Sequence, residues 1–386
     1  MAPVLLLAGA WAVLFANNLK VLPNLLGYDV TGHLSYIRYI QVNHALPQAS
    51  EGWEMFQPPL YYVICAALLQ MLSLSVADGA GVMAVRVFGL VIGVAHFVVV
   101  WASLRLLFPG DRAKSRWGLV LAACLPPLLY LSQYVTNEAL AAALVSASIY
   151  LTLRMLRAER ASWKLWAGLG LCLGAALLTK STAVLALPVI LAALLGKEVQ
   201  RLKSKVQSRG TEDAGLAFEA GKRSLWKGAG RLGVVVAVCA VVCGWHYARV
   251  WANYGSPLIG VWDPRTGFSW WQDEGYRTGA FYLRFGQALL HPWFSALYSF
   301  GDGIYSTLWG DGLLGGAADI SWSPPWNYDL MSLGYWLALL PAVGVIVGGI
   351  LGLVKFLRQP SADWFLVIGL GFVIGLAVVH MSMAVP

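Results

Sequence analysis

Two stretches of this 386-residue chain gather side chains able to do acid–base and sugar-binding chemistry. In the first, Asp29 and His33 stand four positions apart, a spacing that lets both face one way from a helix. A carboxylate there can take a proton from an acceptor hydroxyl. It can also ligate a divalent metal together with His33, or cap the helix start; the roles are compatible. Further along, Glu51, Glu54 and Gln57 approach Pro58–Pro59 from the polar side, either as a binding edge or as scattered acids of an exposed loop. The second stretch, 251–330, is dense in tryptophan, including Trp270, Trp271 and Trp309, and carries Asp263, Asp302, Asp311 and four further acids. Aromatic faces beside hydrogen-bonding groups suit a sugar, although tryptophan also collects at membrane interfaces. The acids lack the regular spacing of an EF-hand calcium loop.

The elements that must position these groups are membrane helices. Apolar residues make up 59% of the chain and charged residues 12%, against about 25% charged in soluble domains. A soluble globular core is thereby excluded. Apolar runs predict helices near 2–19, 82–104, 117–134, 137–153, 163–179, 181–196, 231–250, 331–354 and 362–380. The run 60–76 is too short and too interrupted, by Gln70, to be a clear span. Met1 to Phe15 lacks a basic leader and a small-residue cleavage site, so it is read as a retained first helix.

The net charge of +8 sits in four connectors and gives no sign of a nucleic-acid partner. These are Arg105 to Arg116, Arg154 to Lys164, 197–231, and Lys355 with Arg358. The excess of Lys and Arg on cytoplasmic loops places all four on one side of a bilayer. The stretch 251–330 then falls on the other side. If 60–76 crosses the bilayer, 19–59 faces the opposite compartment; with 60–76 lying in the interface, the reading favoured by Pro58–Pro59, Tyr61, Tyr62 and Gln70, 19–59 joins 251–330, beside Arg86, Lys180 and Arg249 at helix ends. Cations so placed can stabilise a phosphate leaving group, or snorkel to headgroups. Leu34, Ile37 and Ile40, with Tyr36 and Tyr39, predict an amphipathic helix on the membrane surface. Phe281 to Tyr298 reads as an interfacial helix, and Asp302–Gly303 and Asp311–Gly312 as turns. Glu138 is read as a helix-start residue, and 197–231 as a mobile linker touching anionic lipid. The five cysteines all lie in apolar segments, and the Cys239/Cys243 pair on one helix face is read as packing.

The order of these pieces resembles the GT-C superfamily of membrane glycosyltransferases, and in it the bacterial relatives of protein O-mannosyltransferases and aminoarabinose transferases. The likeness lies in Asp29 just after the first span, His33 and Tyr36, and Pro58-Pro59-Leu60-Tyr61-Tyr62. It continues with Arg86, Leu178-Thr179-Lys180 ahead of Pro188, and Tyr305-Ser306-Thr307-Leu308-Trp309-Gly310. Val30 and Gln57 depart from the family pattern, which has an acid and a His or Lys there. The resemblance implies an all-α polytopic bundle with interfacial helices in the first outer loop. Residues 1–250 would form the transmembrane module with outer loop 19–81, 251–330 an aromatic-rich outer region, and 331–386 the last helices. It implies transfer of a sugar from a polyprenyl-phosphate-linked donor to a glycan, lipid or protein acceptor at the outer face of a bacterial inner membrane. Asp29 would be the general base, His33, Glu54, Gln57, Arg86, Lys180, Arg249, Trp270, Trp271 and Trp309 the substrate contacts, and a divalent metal on Asp29 and His33 an open option. A transporter or flippase of lipid-linked sugars, or a noncatalytic subunit of the same fold, are the alternatives. The placement of charges at helix ends rather than mid-span speaks against transport.

Overall fold

A computed structural model describes residues 2–19, 21–208, 214–260, 263–268, 277–314 and 326–384. Among them there is no β-strand. The helices are α1 (Ala2–Asn18), α2 (Val30–Asn43), α3 (Leu60–Met71), α4 (Gly79–Leu107), α5 (Arg112–Cys124), α6 (Pro126–Leu131), α7 (Glu138–Arg157), α8 (Trp163–Thr179), α9 (Ala186–Ser208), α10 (Ala214–Tyr254), α11 (Gly279–Leu283), α12 (Phe300–Trp309), α13 (Tyr328–Arg358) and α14 (Ala362–Ala384). Six helical segments are long and apolar enough to cross a bilayer: Gly79–Leu107, Glu138–Arg157, Ser181–Arg201, Gly228–Tyr254, Tyr328–Arg358 and Ala362–His380. The chain is an all-α integral membrane protein.

The bundle is centred on α8, which packs against α10, α7 and the start of α9. Leu169, Leu173, Ala176 and Ile190 are fully or almost fully buried there, with Cys239 and Cys243 of α10. Small residues let the two backbones close up: a Cβ at position 170 would lie 2.7 Å from the Val235 carbonyl oxygen, and one at 174 2.7 Å from Val242 Cβ. Cys243 Sγ donates to the Cys239 carbonyl at 3.2 Å, and both cysteines are core. Helix α1 is pinned through Trp11, whose indole donates to the Ala123 carbonyl at 3.0 Å while its ring meets Phe97 at 4.1 Å.

Helix α3 has 12 residues, a rise of about 18 Å, against about 30 Å of hydrocarbon. It does not cross. The chain turns at Ser73, with φ 55°, and Gln41 of α2 holds the return. Its amide donates to the Leu74 carbonyl and its carbonyl accepts from the Val76 N–H, both at 3.0 Å. Helices α2 and α3 thus stay at one end of the bundle. At the other end the basic connectors converge: Arg157 pairs with Asp363 at 2.7 Å, Lys197 donates to the carbonyls of Met155 and Ala158, and Phe108 meets Trp364.

Four expectations change. The predicted helix 117–134 is two helices, because Pro126–Pro127 cannot donate to the ladder and restarts the helix as its first residues. Residues 281–298 form only α11 and the short 3-10 turns Gln287–Leu289 and Ser295–Leu297, interrupted by left-handed Gly286 and Phe294 and by Pro292. Asp302–Gly303 is not a turn but lies in the first turn of α12, where Ser299 caps the Asp302 N–H at 3.0 Å. The stretch 197–231 is not a loose linker: α9 runs through Ser208 and α10 begins at Ala214. On α2, Tyr36 and Ile37 are buried against α3, with Leu34, Tyr39 and Ile40 partly buried beside them.

Candidate functional site

The site forms where the first outer loop folds back on itself. Asp29 occupies the N-cap position of α2 in the left-handed region, φ 50° and ψ 25°, and its side chain does not cap the helix. The carboxylate is exposed and instead accepts from the Trp53 indole N–H at 2.8 Å. The backbone thus uses the residue as a helix boundary while leaving its carboxylate for other chemistry. A non-glycine residue in this region is uncommon, and Asp tolerates it better than most.

His33, one turn on, is buried and shares a hydrogen bond of 2.9 Å with the Tyr62 hydroxyl. Glu54 is buried beside it, 3.9 Å away. The absence of a side chain at Gly32 makes room, since a Cβ there would lie 2.7 Å from Glu54 Cγ. Burial, together with the charge of Asp29, pushes the Glu54 carboxyl up to about 8. Burial, with Lys180 nearby, pushes the His33 imidazole down to about 3. At neutral pH the two are therefore a neutral acid and a neutral imidazole, not an ion pair. Gln57 bonds the Glu54 carboxyl and keeps a buried, unpartnered Oε1.

Lys180 and Glu138 join this cluster from the ends of α8 and α7. Lys180 Nζ pairs with Glu138 at 2.7 Å, and Asn137 donates to the Thr179 carbonyl at 3.0 Å, joining the two helix ends. Both charges act on Glu54 through space. Glu138 is in the first turn of α7, as its position suggests, but it is also the partner of Lys180.

The two other arginines hold backbone. Arg86 is 2% exposed and donates to the carbonyls of Leu22 and Pro23 at 3.2 and 2.6 Å. Arg249 donates to those of Leu46 and Pro47 at 3.1 and 2.8 Å. Both clamp the outer loop onto the bundle. Glu51 accepts from the Tyr39 hydroxyl at 3.1 Å and closes a capping box on Gln48. Trp309 packs in a separate cluster with Leu289, Tyr305 and Tyr335. Trp270 and Trp271 lie outside the described residues.

The downstream stretch reaches the first loop at several points. Asp311, almost fully buried, accepts from Tyr28 at 2.7 Å, Trp326 at 3.0 Å and Tyr134 at 3.4 Å. Phe268 meets the Trp53 ring edge-on at 5.2 Å, and Tyr254 accepts from the Ser50 N–H at 3.4 Å. Both polar stretches therefore share one end of the bundle. Sequence reasoning missed Trp53, Tyr62 and Tyr28 as partners; each is an aromatic residue adjoining, or close in sequence to, a candidate site residue, which was the available signal. Among the described residues no group of three His, Cys, Asp or Glu side chains is placed to hold a metal ion. Asp29 accepts from Trp53, and His33 shares its bond with Tyr62.

Residues 57–210 match the family model of dolichyl-phosphate-mannose-protein mannosyltransferases. Among solved structures, the chain is similar to ArnT from Cupriavidus metallidurans bound to undecaprenyl phosphate, with 17% identity and a TM-score of 0.47 over 98% of this chain and 60% of that one. It is also similar to the oligosaccharyltransferase of Archaeoglobus fulgidus in complex with zinc and sulfate, with 13% identity and a TM-score of 0.52 over 97% of this chain and 46% of that one. The chain thus spans less than two thirds of either. No curated protein matches it. The fold is similar to that of the archaeal oligosaccharyltransferase, and residues 57–210 match the mannosyltransferase family model.

Proposed function

We propose that the protein transfers a sugar from a polyprenyl-phosphate-linked donor to an acceptor hydroxyl, in a pocket at the outer membrane face, with Asp29 as general base. The observation that carries this reading is the Asp29 carboxylate. It is exposed, released from capping by a left-handed backbone, and oriented by one indole N–H. The matched family's name, with its dolichyl-phosphate-mannose donor, supports the lipid-phosphate class.

In this reading the acceptor oxygen attacks the anomeric carbon while Asp29 takes its proton. The bond from anomeric carbon to phosphate oxygen breaks, and the lipid phosphate leaves with the electron pair. Lys180, partly exposed and held by Glu138, faces the growing negative charge. Neutral Glu54 keeps its proton at neutral pH and, with Gln57, forms the buried floor beneath the Asp29 carboxylate. The positive-inside distribution of the four basic connectors supports the outward placement of the pocket.

The test is turnover of a polyprenyl-phosphate mannose, labelled in the sugar, by the purified chain in proteoliposomes. Formation of a glycosylated acceptor with release of polyprenyl phosphate supports the reading. Movement of the intact donor across the bilayer, with no bond change, overturns it in favour of transport.

A further inference from the structure

Helix α12 is inside out for a water-facing element. Its buried residues are Asp302, Tyr305 and Ser306, while Ile304 and Leu308, one turn apart on a single face, are exposed. A helix on a wet surface shows the reverse pattern. The segment leading into it repeats this. Ser295 and Ser299 are fully buried, and Leu283, Phe285, Leu290 and Leu297 are exposed, Leu283 by 88%. The polar side is bonded to itself. Asp302 accepts from the Gly286 and Ala288 N–H groups at 2.9 and 3.1 Å and from the Ser299 hydroxyl at 2.8 Å. The apolar side is left facing outward.

Helix α13 supplies the level at which this apolar side lies. Its last turn carries Lys355 and Arg358, at the basic end of the bundle. About 20 residues counted back from Lys355 cover about 30 Å of hydrocarbon, so the outer edge of the bilayer core falls near Tyr335. Helix α12 rests on that residue. The Tyr305 hydroxyl donates to the Tyr335 carbonyl, and the Tyr335 hydroxyl donates to the Ser306 carbonyl at 3.2 Å. Next to it Trp336 is exposed, as suits an aromatic residue at a membrane boundary. With 10 residues, α12 is about 15 Å long and does not span the core. The exposed polar residues among the apolar ones, Arg284, Gln287 and His291, suit the headgroup level. The surface thus continues the lipid-facing surface of α13, where Leu333, Leu337 and Leu340 are exposed.

We propose that residues 283–308 form a seat in the outer leaflet, with Leu283, Phe285, Leu290, Leu297, Ile304 and Leu308 against lipid acyl chains. Lipid is the occupant because this apolar surface stands at the bilayer edge and joins a membrane span. Asp311, just past α12, accepts from Tyr28 at 2.7 Å, so the seat fixes the height of the first outer loop above the lipid. The proposal uses no transfer chemistry and stands or falls apart from that reading.

The experiment places the photoreactive residue p-benzoyl-phenylalanine singly at Leu283, Ile304 and Leu308 of the full chain. Each variant is irradiated in nanodiscs of phosphatidylglycerol and phosphatidylethanolamine, and adducts are read by mass spectrometry. The same residue at Leu340 gives the hydrocarbon reference, and at Asn253, exposed at the outer end of α10, the reference in water. The expected result is a lipid adduct at each of the three positions, in about the yield found at Leu340 and at least about tenfold above that at Asn253. Helix content by circular dichroism checks that each variant folds, and three positions on two elements keep the test usable if one does not. Adducts to protein, whether to a second copy or to another part of this chain, overturn the proposal. Yields at the level of Asn253 while Leu340 reacts overturn it as well.

Discussion

The Trp53 indole N–H donates to Asp29 Oδ1 at 2.8 Å, across 24 positions of the first outer loop. The bond fixes the direction of a carboxylate whose backbone already stands outside the helix. It makes Trp53 a positioning residue for the proposed base. Trp53→Phe keeps an aromatic ring against Phe268 and removes the donor. The expected result is a fall in kcat of about tenfold with little change in donor KM, since a hydrogen bond to a charged group contributes about 1.5 kcal/mol or more. Steady-state kinetics of the variant checks this.

Asp311 joins the two polar stretches by accepting from Tyr28, Tyr134 and Trp326. Asp311→Ala leaves these donors without their acceptor in a buried place. It should cost about 3 kcal/mol of stability, read as unfolding free energy in detergent micelles. Tyr28→Phe and Asp311→Asn, alone and combined, should show a coupling of about 1 kcal/mol. Strict additivity would mean that this bond does not hold the stretches together.

Glu54 gives the protein a pH signature. Its folded value of about 8 lies above the ordinary 4.5, so the folded state holds a proton that the unfolded chain has lost. The stability this carboxyl contributes is complete below about pH 4.5 and is lost as pH rises toward 8. The loss between pH 6 and 8 should be about 2–3 kcal/mol. Glu54→Gln should flatten that slope, leaving the variant more stable than the parent at pH 8. His33 acts in the opposite sense at lower pH. Its value, held down at about 3, makes stability rise between pH 3 and its ordinary value near 6.5. Unfolding midpoints across pH for both proteins provide the check.

Arg86 is spent on the Leu22 and Pro23 carbonyls. Arg86→Met should therefore destabilise the chain by about 3 kcal/mol, through two buried carbonyls left without donors. Donor KM in the remaining folded fraction should stay within about twofold. A rise in donor KM of tenfold or more without lost stability would instead put this guanidinium on the donor phosphate.

Much of this fold could be read from the chain, because membrane helices announce themselves by long apolar runs. The runs 82–104 and 163–179 lie within one helical turn of the observed Gly79–Leu107 and Trp163–Thr179. The places where sequence reading failed are those where prolines or left-handed residues break an apolar run, at Pro126–Pro127 and around Gly286 and Phe294. Hydropathy does not register such breaks. At the site, a four-residue spacing lets Asp29 and His33 face one way, but Asp29 stands exposed at a left-handed helix boundary while His33 is buried beside Glu54. The use of Arg86 and Arg249 as backbone clamps was not legible, since carbonyl acceptors leave no mark in the sequence. The pairing of Lys180 with Glu138 depends on where α7 and α8 end, which only their packing fixes.

The most direct test of the account is single-turnover transfer by Asp29→Asn beside the parent protein, with donor binding measured on the same samples. Asparagine keeps the size and still accepts from Trp53, but it cannot take a proton. The account predicts a loss of about 10³-fold in the chemical step, with donor affinity and folding unchanged. Transfer within a few-fold of the parent rate would contradict it.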